Sequence, residues 1–554
     1  NWLSENPIWV DQWPLRNKKL QVLNELVNQQ LELGHIAPSV SPWNSPVFVI
    51  KKASGKWRLL TDLRRINDAM ENMGSLQPGM PSLAQLPSGW PLAIIDLQDC
   101  FFHIPLRPED TPKFAFSVPA VNAEAPNRRF EWLVLPQGMK NSPTLCQLYV
   151  STLLAPFRKK YADVIIYHYM DDILICSEQK SQIETTLADL LMLLEKHSMP
   201  VATEKIQKTE SWKYLGWKIS SSTISPQQVK LNKTIHNLND LQRLLGAINW
   251  VRPILGISTD ELHPLFETLK GDPDLASPRF LTPEALRSIR LVEHKLNVIP
   301  ANRKIPNVPP ILVVFLGKTQ PFGILCQIDS PNKRECLWEW IFLPHQFSKT
   351  VITLIEMISK VIFKGRTRCW EISGEEPDTI YLPLSSEHLE QLMIASVDFQ
   401  IAVSDFAGKI VYHLPNSNIL KPIGNLPIQL KFLQSEIPIS KAKNIFTDGS
   451  GKTKKAQENG CWKRDIHFVE GSPQLVELSA VVRAFHLFEK EPFNLISDSA
   501  YVIGVVKRIE HSYLKYISNN LLFSLFQKLL FVIRQRKFPF FATHIRAHTD
   551  LPGP

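Results

Sequence analysis

The sequence predicts an α/β protein built from several domains. Its 554 residues exceed the ~100–200 that one domain usually contains. The hydrophobic (44%) and charged (21%) fractions are those of globular proteins, which excludes collagen-like, coiled-coil and disordered classes. Helix and strand patterns alternate, and 42 prolines separate short elements along the whole chain. No run approaches the ~20 apolar residues of a membrane helix, so no membrane partner is expected.

Apolar spacing and turn residues assign the elements of the first 220 residues. The pattern predicts, in order, a helix over 20–33, strands over 47–50 and 93–97, a helix over 142–154, hairpin strands over 164–169 and 173–176, and a helix over 188–197. Ser142 is the expected N-cap of the second helix, with Pro143 in its first position. The hairpin is expected to turn at Asp171 and Asp172.

Charge and cysteine content indicate the surroundings of the protein. The net charge of +9 favours a polyanionic partner, although it is spread over a long chain. Seven cysteines without CxxC spacing indicate neither a disulfide framework nor a zinc site, so a reducing compartment is expected. The chain begins at Asn1 without a leader, as expected of a processed product.

A first group of carboxylates stands at predicted strand ends. Asp96 ends an apolar strand, and Asp171 and Asp172 lie at a hairpin tip between two apolar strands. Carboxylates at neighbouring strand ends can hold two divalent cations about 3.5–4 Å apart, and Mg²⁺ suits few carboxylates plus phosphate and water. A lone Asp-Asp pair is usually only a turn, but the apolar flanks and the upstream Asp96 favour a metal site.

Four ordered segments carry a family resemblance. They read WNSPVFVIKK at 43–52, IDLQDCFF at 95–102, LPQGMKNSP at 135–143 and YMDD at 169–172. Together they resemble retroviral reverse transcriptases. The residues of these motifs are most similar to those of betaretroviruses and their endogenous relatives, of the intracisternal A-particle and mouse mammary tumour virus types. The resemblance implies a right-hand polymerase of fingers, palm and thumb, followed by connection and ribonuclease H-like domains.

The resemblance also implies domain boundaries. Fingers and palm are expected at 1–220, with the palm at about 72–103 and 142–220, the thumb at 221–300, the connection at 301–432 and the ribonuclease H domain at 433–554. Trp338, Trp340 and Trp370 of the connection suit either packing or a subunit interface.

By the same resemblance, Asp96, Asp171 and Asp172 match the catalytic metal-binding triad. The main-chain carbonyl of Leu97 would complete the coordination of two Mg²⁺ ions, with Mn²⁺ as the alternative metal. Phe101 matches the bulky residue that excludes a 2′-hydroxyl by volume, with core packing as its other interpretation.

Further positions match nucleotide- and primer-binding residues of the family. Those implied to touch the incoming nucleotide or the primer end are Lys51 or Lys52, Arg58, Gln137 and Met170. Leu215 and Gly216 fall in a hairpin at 212–217 that resembles the primer-holding element, although a strand with buried tryptophans would look similar. Trp250 ends the segment that matches the thumb helix along the duplex.

A second group of carboxylates resembles the ribonuclease H family. Asp448, Glu477 and Asp498 would gather two metals around a phosphate of the RNA strand. His548 matches the mobile histidine of that family, and His544 is expected to be structural. The family's fourth carboxylate would fall about ten residues beyond Pro554, so we expect weak or absent hybrid cleavage by this chain.

The predicted function is RNA- and DNA-directed DNA synthesis. The expected partners are an RNA or DNA template with its primer and deoxynucleoside triphosphates, and a dimer with a second copy of the chain is left open. The expected location is a virion or virus-like particle and the host cytoplasm. A non-catalytic structural subunit and a nucleic-acid-binding remnant are the alternatives, and both would bind without extending a primer.

Overall fold

The alternation of helix and strand patterns is realised in a computed structural model of the chain. It describes all residues except 52–54, 75, 77–78, 121–123, 228–230, 232, 299–300, 318–319, 345–348, 424–432, 448–454, 459–460, 465–470, 516, 518 and 546–554. The chain divides into two compact units, Asn1–Gln227 and Gln228–Pro554.

The first unit mixes helices with short antiparallel strands. Its helices are α1 Asn17–Glu32, α2 Arg64–Asp68, α3 Ser142–Lys160 and α4 Lys180–Lys196. Its strands are β1 Ile36–Pro38, β2 Val47–Lys51, β3 Trp57–Thr61, β4 Leu92–Asp96, β5 Ala115–Val118, β6 Arg128–Trp132, β7 Ile165–Tyr169, β8 Asp172–Cys176, β9 Trp212–Tyr214, β10 Trp217–Ile219 and β11 Thr223–Pro226. Short 3₁₀ helices occupy Leu83–Gln85, Cys100–His103, Thr111–Phe114 and Thr203–Lys205.

One three-stranded sheet organises this unit. Its strand order is β4-β8-β7, and both pairings are antiparallel. Strands β4 and β8 are buried on both faces. On one face, Ala93, Ile95, Ile173 and Ile175 belong to a core cluster that includes residues of α3 and α4. The carboxylates that end the strands are thereby fixed to the most deeply packed part of the unit.

Two local predictions were wrong. The hairpin turns at Met170 and Asp171, and Asp172 is already the first residue of β8, paired with Tyr169. A two-residue hairpin loop needs positive φ at its first position, and Met170 supplies it at +55°. Asn141, not Ser142, precedes the first turn of α3, and the Ser142 hydroxyl donates to the carbonyl of Pro136 instead.

The second unit begins with helices and continues with two sheets. Its helices are α5 Leu238–Leu255, α6 Thr259–Glu267, α7 Pro283–Val298, α8 Leu354–Ser373, α9 Ser386–Ala395, α10 Val397–Val403, α11 Pro473–Leu487, α12 Ala500–Ile509 and α13 Asn520–Gln535. Its strands are β12 Ala301–Asn302, β13 Ile311–Leu316, β14 Pro321–Asp329, β15 Arg334–Phe342, β16 Val351–Thr353, β17 Thr379–Tyr381, β18 Lys409–Val411, β19 Gln434–Ser435, β20 Lys443–Thr447, β21 Lys455–Glu458, β22 Cys461–Arg464, β23 Phe493–Ser497, β24 Ser512–Leu514 and β25 Phe540–His544.

The two sheets of this unit have related orders. The first is β15-β14-β13-β17-β18, with β13 and β17 parallel, and the second is β19-β25-β23-β20-β21-β22, with β20, β23 and β25 parallel. Trp338 is fully buried in the first sheet, whereas Trp370 on α8 is 63% exposed, so the three connection tryptophans do not share one environment. In the part of the chain that the structure covers, we find no helix with the length and apolar character needed to cross a bilayer.

A close backbone approach joins α5 to the first sheet of this unit. Gly256 ends α5 with φ +63°, and a Cβ added there would lie 2.3 Å from the indole of Trp340 on β15. Only glycine fits both the left-handed conformation and the contact.

We therefore expect Gly256→Ala to destabilise the second unit by about 2–4 kcal/mol, the sum of left-handed strain and overpacking. Urea unfolding followed by circular dichroism measures the loss. The matched control is Gly246→Ala in the same helix, where nothing lies within 4 Å of an added Cβ. Because alanine favours helix, this control should be neutral or stabilising, and equal losses in the two variants would contradict the contact argument.

Candidate active site

The structure brings together the three aspartates of the first acidic group. In the antiparallel pairing of β4 with β8, Asp96 and Asp172 are direct register partners. Asp171 precedes Asp172 in the hairpin loop, and its carbonyl accepts a 2.8 Å hydrogen bond from the amide of Leu97. Two stretches of chain about 75 residues apart in sequence thus end at one point, as the sequence predicts.

A lysine that the sequence analysis missed holds one of these carboxylates. Lys205 Nζ lies 3.0 Å from Asp96 Oδ1. Its 3₁₀ helix runs along the free edge of β4, where the amide of Ala202 donates to the Asp96 carbonyl at 3.1 Å. Among the residues that the structure describes, no three His, Cys, Asp or Glu side chains are grouped closely enough to hold a metal ion as they stand. The backbone gathers the carboxylates while Asp96 is engaged by an internal cation.

The electrostatics of this group favour a bound cation. Burial, followed by repulsion from Asp171 and Asp96, raises the pKa of Asp172 to about 6. Burial also raises the pKa of Asp171, with a smaller contribution from Asp96, while Lys205 acts in the opposite direction on both. Oxygen ligands that repel one another in a half-buried site are the donor set that a hard divalent cation stabilises, so these residues fit Mg²⁺.

Two predicted nucleotide-binding residues meet in the structure. Arg58 lies on β3, and its Nε donates a 2.5 Å hydrogen bond to Oε1 of Gln137, which follows β6. Lys51 ends β2, in register with Trp57 beside Arg58, and its side chain is exposed. Lys52 lies outside the described residues. A guanidinium with a lysine on the adjacent strand can bind a transferring phosphate from two sides.

Phe101 lies immediately beyond the strand that carries Asp96. It sits in the 3₁₀ helix Cys100–His103, which begins after Asp99 in the left-handed conformation, φ +45°. Its ring is only half-buried, at the margin of the core cluster. A partly exposed ring beside the carboxylates can contact a substrate, whereas the neighbouring Phe102 stacks on Trp132 at 5.4 Å.

Gln147 positions the hairpin loop, and the sequence analysis missed it. This buried residue of α3 accepts a 2.6 Å hydrogen bond at Oε1 from the amide of Met170. The bond fixes the left-handed Met170 and, with it, the direction of Asp171. The sequence signal that could have identified Gln147 is a glutamine on the buried face of an amphipathic helix, because buried polar side chains are nearly always hydrogen-bonded.

The predicted primer-holding element is a tight hairpin. Leu215 and Gly216 form its two-residue loop between β9 and β10, with φ of +46° and +80°. Two positive φ values define a type I′ turn, in which leucine is an unusual choice. Its two tryptophans, Trp212 and Trp217, are both buried. The segment is therefore both a hairpin and a pair of strands with buried tryptophans. Trp250 lies half-buried on α5 of the second unit.

The second acidic group is only partly described. Asp498 follows β23, whose last residue, Ser497, is in parallel register with Thr447 at the end of β20. Its Oδ1 is buried without a hydrogen-bond partner among the described residues, while its carbonyl lies 3.1 Å from His544 Nε2. Glu477 is half-buried on α11. Asp448 and His548 lie outside the described residues.

Comparison with known families gives four matches along the chain. They are a reverse transcriptase (RNA-dependent DNA polymerase) over residues 50–219, a reverse transcriptase thumb domain over 226–290, an ERVK-8-like, RNaseH-like domain over 318–420 and RNase H over 440–553. All three residues of the first acidic group fall within the first match.

Relatives are similar over the whole of this chain. The Gag-Pro-Pol polyprotein of mouse mammary tumor virus (strain BR6) is 41% identical over 571 residues, and that of Mason-Pfizer monkey virus is 40% identical over 555. The Pol-related polyprotein of mouse intracisternal A-particle MIA14 is 38% identical over 552 residues. The chain spans 31% of each of the first two and 62% of the third.

The raised pKa of Asp172 has a stability consequence. A carboxyl that binds its proton more tightly when folded weakens the fold as pH rises through the folded pKa, here about 6. In metal-free buffer at pH 7.5 we therefore expect Asp172→Asn to stabilise the first unit by about 1–2 kcal/mol, after allowance for solvent screening.

Thermal unfolding in EDTA measures this as an increase of roughly 2–4 °C per kcal/mol. The gain should largely disappear at pH 4, where Asp172 is protonated in the folded protein and only partly ionised in the unfolded chain. Asp163→Asn, at an exposed aspartate just before β7, is the matched control. An increase that is equal at both pH values would contradict the assigned repulsion.

Proposed function

Because this chain carries the reverse transcriptase and ribonuclease H domains of betaretroviral Pol proteins, we propose that it is an RNA- and DNA-directed DNA polymerase. The reaction is nucleotidyl transfer, in which a primer 3′-hydroxyl attacks the α-phosphate of a deoxynucleoside triphosphate and pyrophosphate leaves. The supporting observation is the register of β4 on β8, which places Asp96 opposite Asp172 with Asp171 in the adjoining turn.

The carboxylates would hold two Mg²⁺ ions, with Mn²⁺ as the alternative, and the Leu97 carbonyl would complete their ligands. When bound, the metals supply activation of the attacking hydroxyl and stabilisation of the leaving oxygen. Asp96 must leave Lys205 for this, and Lys205 then becomes a free cation beside the site. Gln147 keeps Met170 and Asp171 in place throughout, so the reacting end of the primer meets a fixed turn.

The triphosphate would lie against the basic residues near the start of the chain. Arg58 and Gln137 are already bonded to each other, so they form one surface, and Lys51 adds an exposed charge. Lys52 is proposed to contact the triphosphate as well, on the basis of its sequence position alone. The half-buried Phe101 would contact the sugar and exclude a 2′-hydroxyl by its volume.

A cavity lined by basic and aromatic residues lies beside this surface, and it supports the proposal that a nucleic-acid template binds there. It measures about 960 Å³, and Gln137 and Gly138 form part of its wall. Arg16 and Lys19 provide cations, and Arg64 is ion-paired with Asp62 of the same wall. The exposed Trp13 packs near Phe48 with ring centroids 6.0 Å apart. Cations for backbone phosphates and aromatic rings for base stacking are the general means of binding single strands. Leu215, Gly216 and Trp250 are proposed contacts of the primer duplex.

The proposed domain boundaries remain 1–220 for fingers and palm, 221–300 for the thumb, 301–432 for the connection and 433–554 for ribonuclease H. For the last, we propose hybrid cleavage at Asp448, Glu477 and Asp498, with His548 assisting product release. The supporting observation is that Oδ1 of Asp498 is buried without a hydrogen-bond donor among the described residues, which suits a cation.

A dimer with a second copy is proposed for the exposed apolar surface of α8 and α10. Phe363 and Trp370 on α8, and Val397 and Ile401 on α10, are each more than half exposed, and the two helices pack together. Apolar patches of this kind mark interaction sites.

The proposed location is the virion or virus-like particle and the host cytoplasm, as expected for viral relatives.

The polymerase proposal predicts that Asp171→Asn abolishes primer extension while nucleic-acid binding survives. Loss of a metal ligand should cost at least about 10³-fold in rate, because metal electrostatics supply several kcal/mol of the barrier reduction. Extension of oligo(dT) on poly(rA) with Mg²⁺, beside a filter-binding assay, measures both properties. Asp163→Asn serves again as the matched control. Retained extension would refute the metal assignment, and the non-catalytic alternatives predict no extension by the unmodified chain.

The proposal also predicts that Phe101→Val admits ribonucleotides. Removing the ring should lower discrimination between deoxy- and ribonucleotides by about 10- to 100-fold, since steric selection rests on volume alone. Single-nucleotide incorporation with dTTP and UTP gives the ratio. Phe102→Val, which alters the ring stacked on Trp132, is the control and should leave the ratio unchanged. Unchanged discrimination in both variants would return Phe101 to a packing role.

The ribonuclease H proposal predicts that any cleavage of an RNA–DNA hybrid is lost in Asp498→Asn, while primer extension is kept. A fast rate that survives Asp498→Asn would contradict the assignment of Asp498.

A further inference from the structure

A cavity of about 490 Å³ lies between the end of α5 and the first sheet of the second unit. Its lining includes Arg252 of α5, Trp340 and Phe342 of β15, and Lys364 and Arg368 of α8. Three cationic side chains therefore border one small space that the polymerase chemistry does not use.

Arg252 is a buried cation without an acidic partner. It is 8% exposed, and its guanidinium stacks 4.1 Å from the ring centroid of Phe342. Its Nε donates to the carbonyl of Ile257 at 2.7 Å and one Nη to the Thr259 hydroxyl at 2.8 Å. No carboxylate of a described residue lies within ion-pair distance of Arg252; Glu261 favours its charge from further away, but Glu261 is ion-paired with Lys295.

The other two cations leave the cavity net positive. Arg368 forms a bidentate pair with Glu339, at 2.8 and 2.9 Å, and a second ion pair with Glu371 at 3.2 Å, so its charge is balanced. Lys364 donates only to the carbonyl of Phe342, at 2.7 Å. Its pKa is lowered by loss of surrounding water and then by repulsion from Arg252 and Arg368. Arg252 and Lys364 thus form no ion pair with a described residue, and the charged residues that line the cavity carry a surplus of positive charge.

We infer that this cavity binds a phosphate-bearing small molecule with a flat ring, of the nucleotide class. A phosphomonoester carries nearly two negative charges, which would balance the positive charges of Arg252 and Lys364. Charge-assisted hydrogen bonds to a phosphate are strong. Trp340 and Phe342, stacked with ring centroids 6.1 Å apart, provide an aromatic wall for the ring. The carbonyls of Ile257 and Phe342 already accept hydrogen bonds from Arg252 and Lys364. A ligand would therefore bind here through an acceptor group of its own.

Such a ligand would connect two parts of the second unit. Its phosphate would contact both α5, which lies in the segment matched by the thumb family, and α8 behind the sheet. The same helix end already touches Trp340 through Gly256. Occupancy should therefore slow the opening of the last turn of α5 against the sheet.

Calorimetric titration of the full chain with AMP in EDTA tests the proposal, since the absence of metal suppresses binding at the carboxylate sites. Adenosine and inorganic phosphate are the probes that separate ring from charge. The decisive variant is Lys364→Met, which keeps the apolar stem at a partly exposed position and removes the charge. The matched control is Lys409→Met on β18, at the opposite edge of the same sheet.

We expect AMP to bind, Lys364→Met to weaken it at least fivefold, Lys409→Met to leave it unchanged, and adenosine not to bind. Hydrogen exchange at 252–256 should slow with AMP in the unmodified chain and not in Lys364→Met. No AMP binding at millimolar concentration, or equal binding by Lys364→Met, would overturn the proposal. Binding of phosphate as tight as that of AMP would overturn the part of it that concerns the ring.

Discussion

The antiparallel pairing of β4 with β8 is the constraint on which the first unit depends. It places Asp96 opposite Asp172 at the end of a sheet that is apolar on both faces. Like charges at this distance oppose one another, and partial burial adds to the cost, as the raised pKa of Asp172 shows. The packed sheet holds them together nevertheless, because a shift in register would disrupt the close packing of side chains buried on both faces of these strands.

The neighbouring elements are arranged around this strained point. The 3₁₀ helix at Thr203–Lys205 lies along β4 and offers Lys205 to Asp96. Helix α3 offers Gln147 to the turn. Phe101 follows directly from the strand that ends in Asp96. A site of this kind is preorganised, since the groups that would meet the substrate are fixed by the core rather than by the substrate itself.

The second unit shows the opposite electrostatic pattern at the end of α5. There, Arg252 and Lys364 repel one another beside an aromatic wall, while Arg368 is paired with Glu339 and Glu371. Carboxylates held close together favour a cation, and basic side chains held close together favour an anion. The metal and the phosphate are proposed for these two places on that common ground.

Sequence reasoning located residues whose position in the fold is expressed in their local context. Asp96, Asp171 and Asp172 stand at the ends of apolar runs, so their place at strand ends could be predicted, and the structure pairs those strands. The turn position was wrong by one residue, because the backbone conformation of Met170 depends on a bond from α3. Likewise, the two interpretations of the 212–217 hairpin could not be separated by composition, since its tryptophans are buried and its loop is a type I′ turn.

By itself, the sequence determined the α/β class, the order of the elements and the carboxylates that the site contains, because periodicity and strand-end placement are local properties. Only the tertiary structure decided that Lys205, 109 residues from Asp96, is its partner, and that Arg252 and Lys364 share a cavity. Contacts between distant segments depend on how apolar faces pack, and no short stretch of sequence records the charge that packing will place beside it.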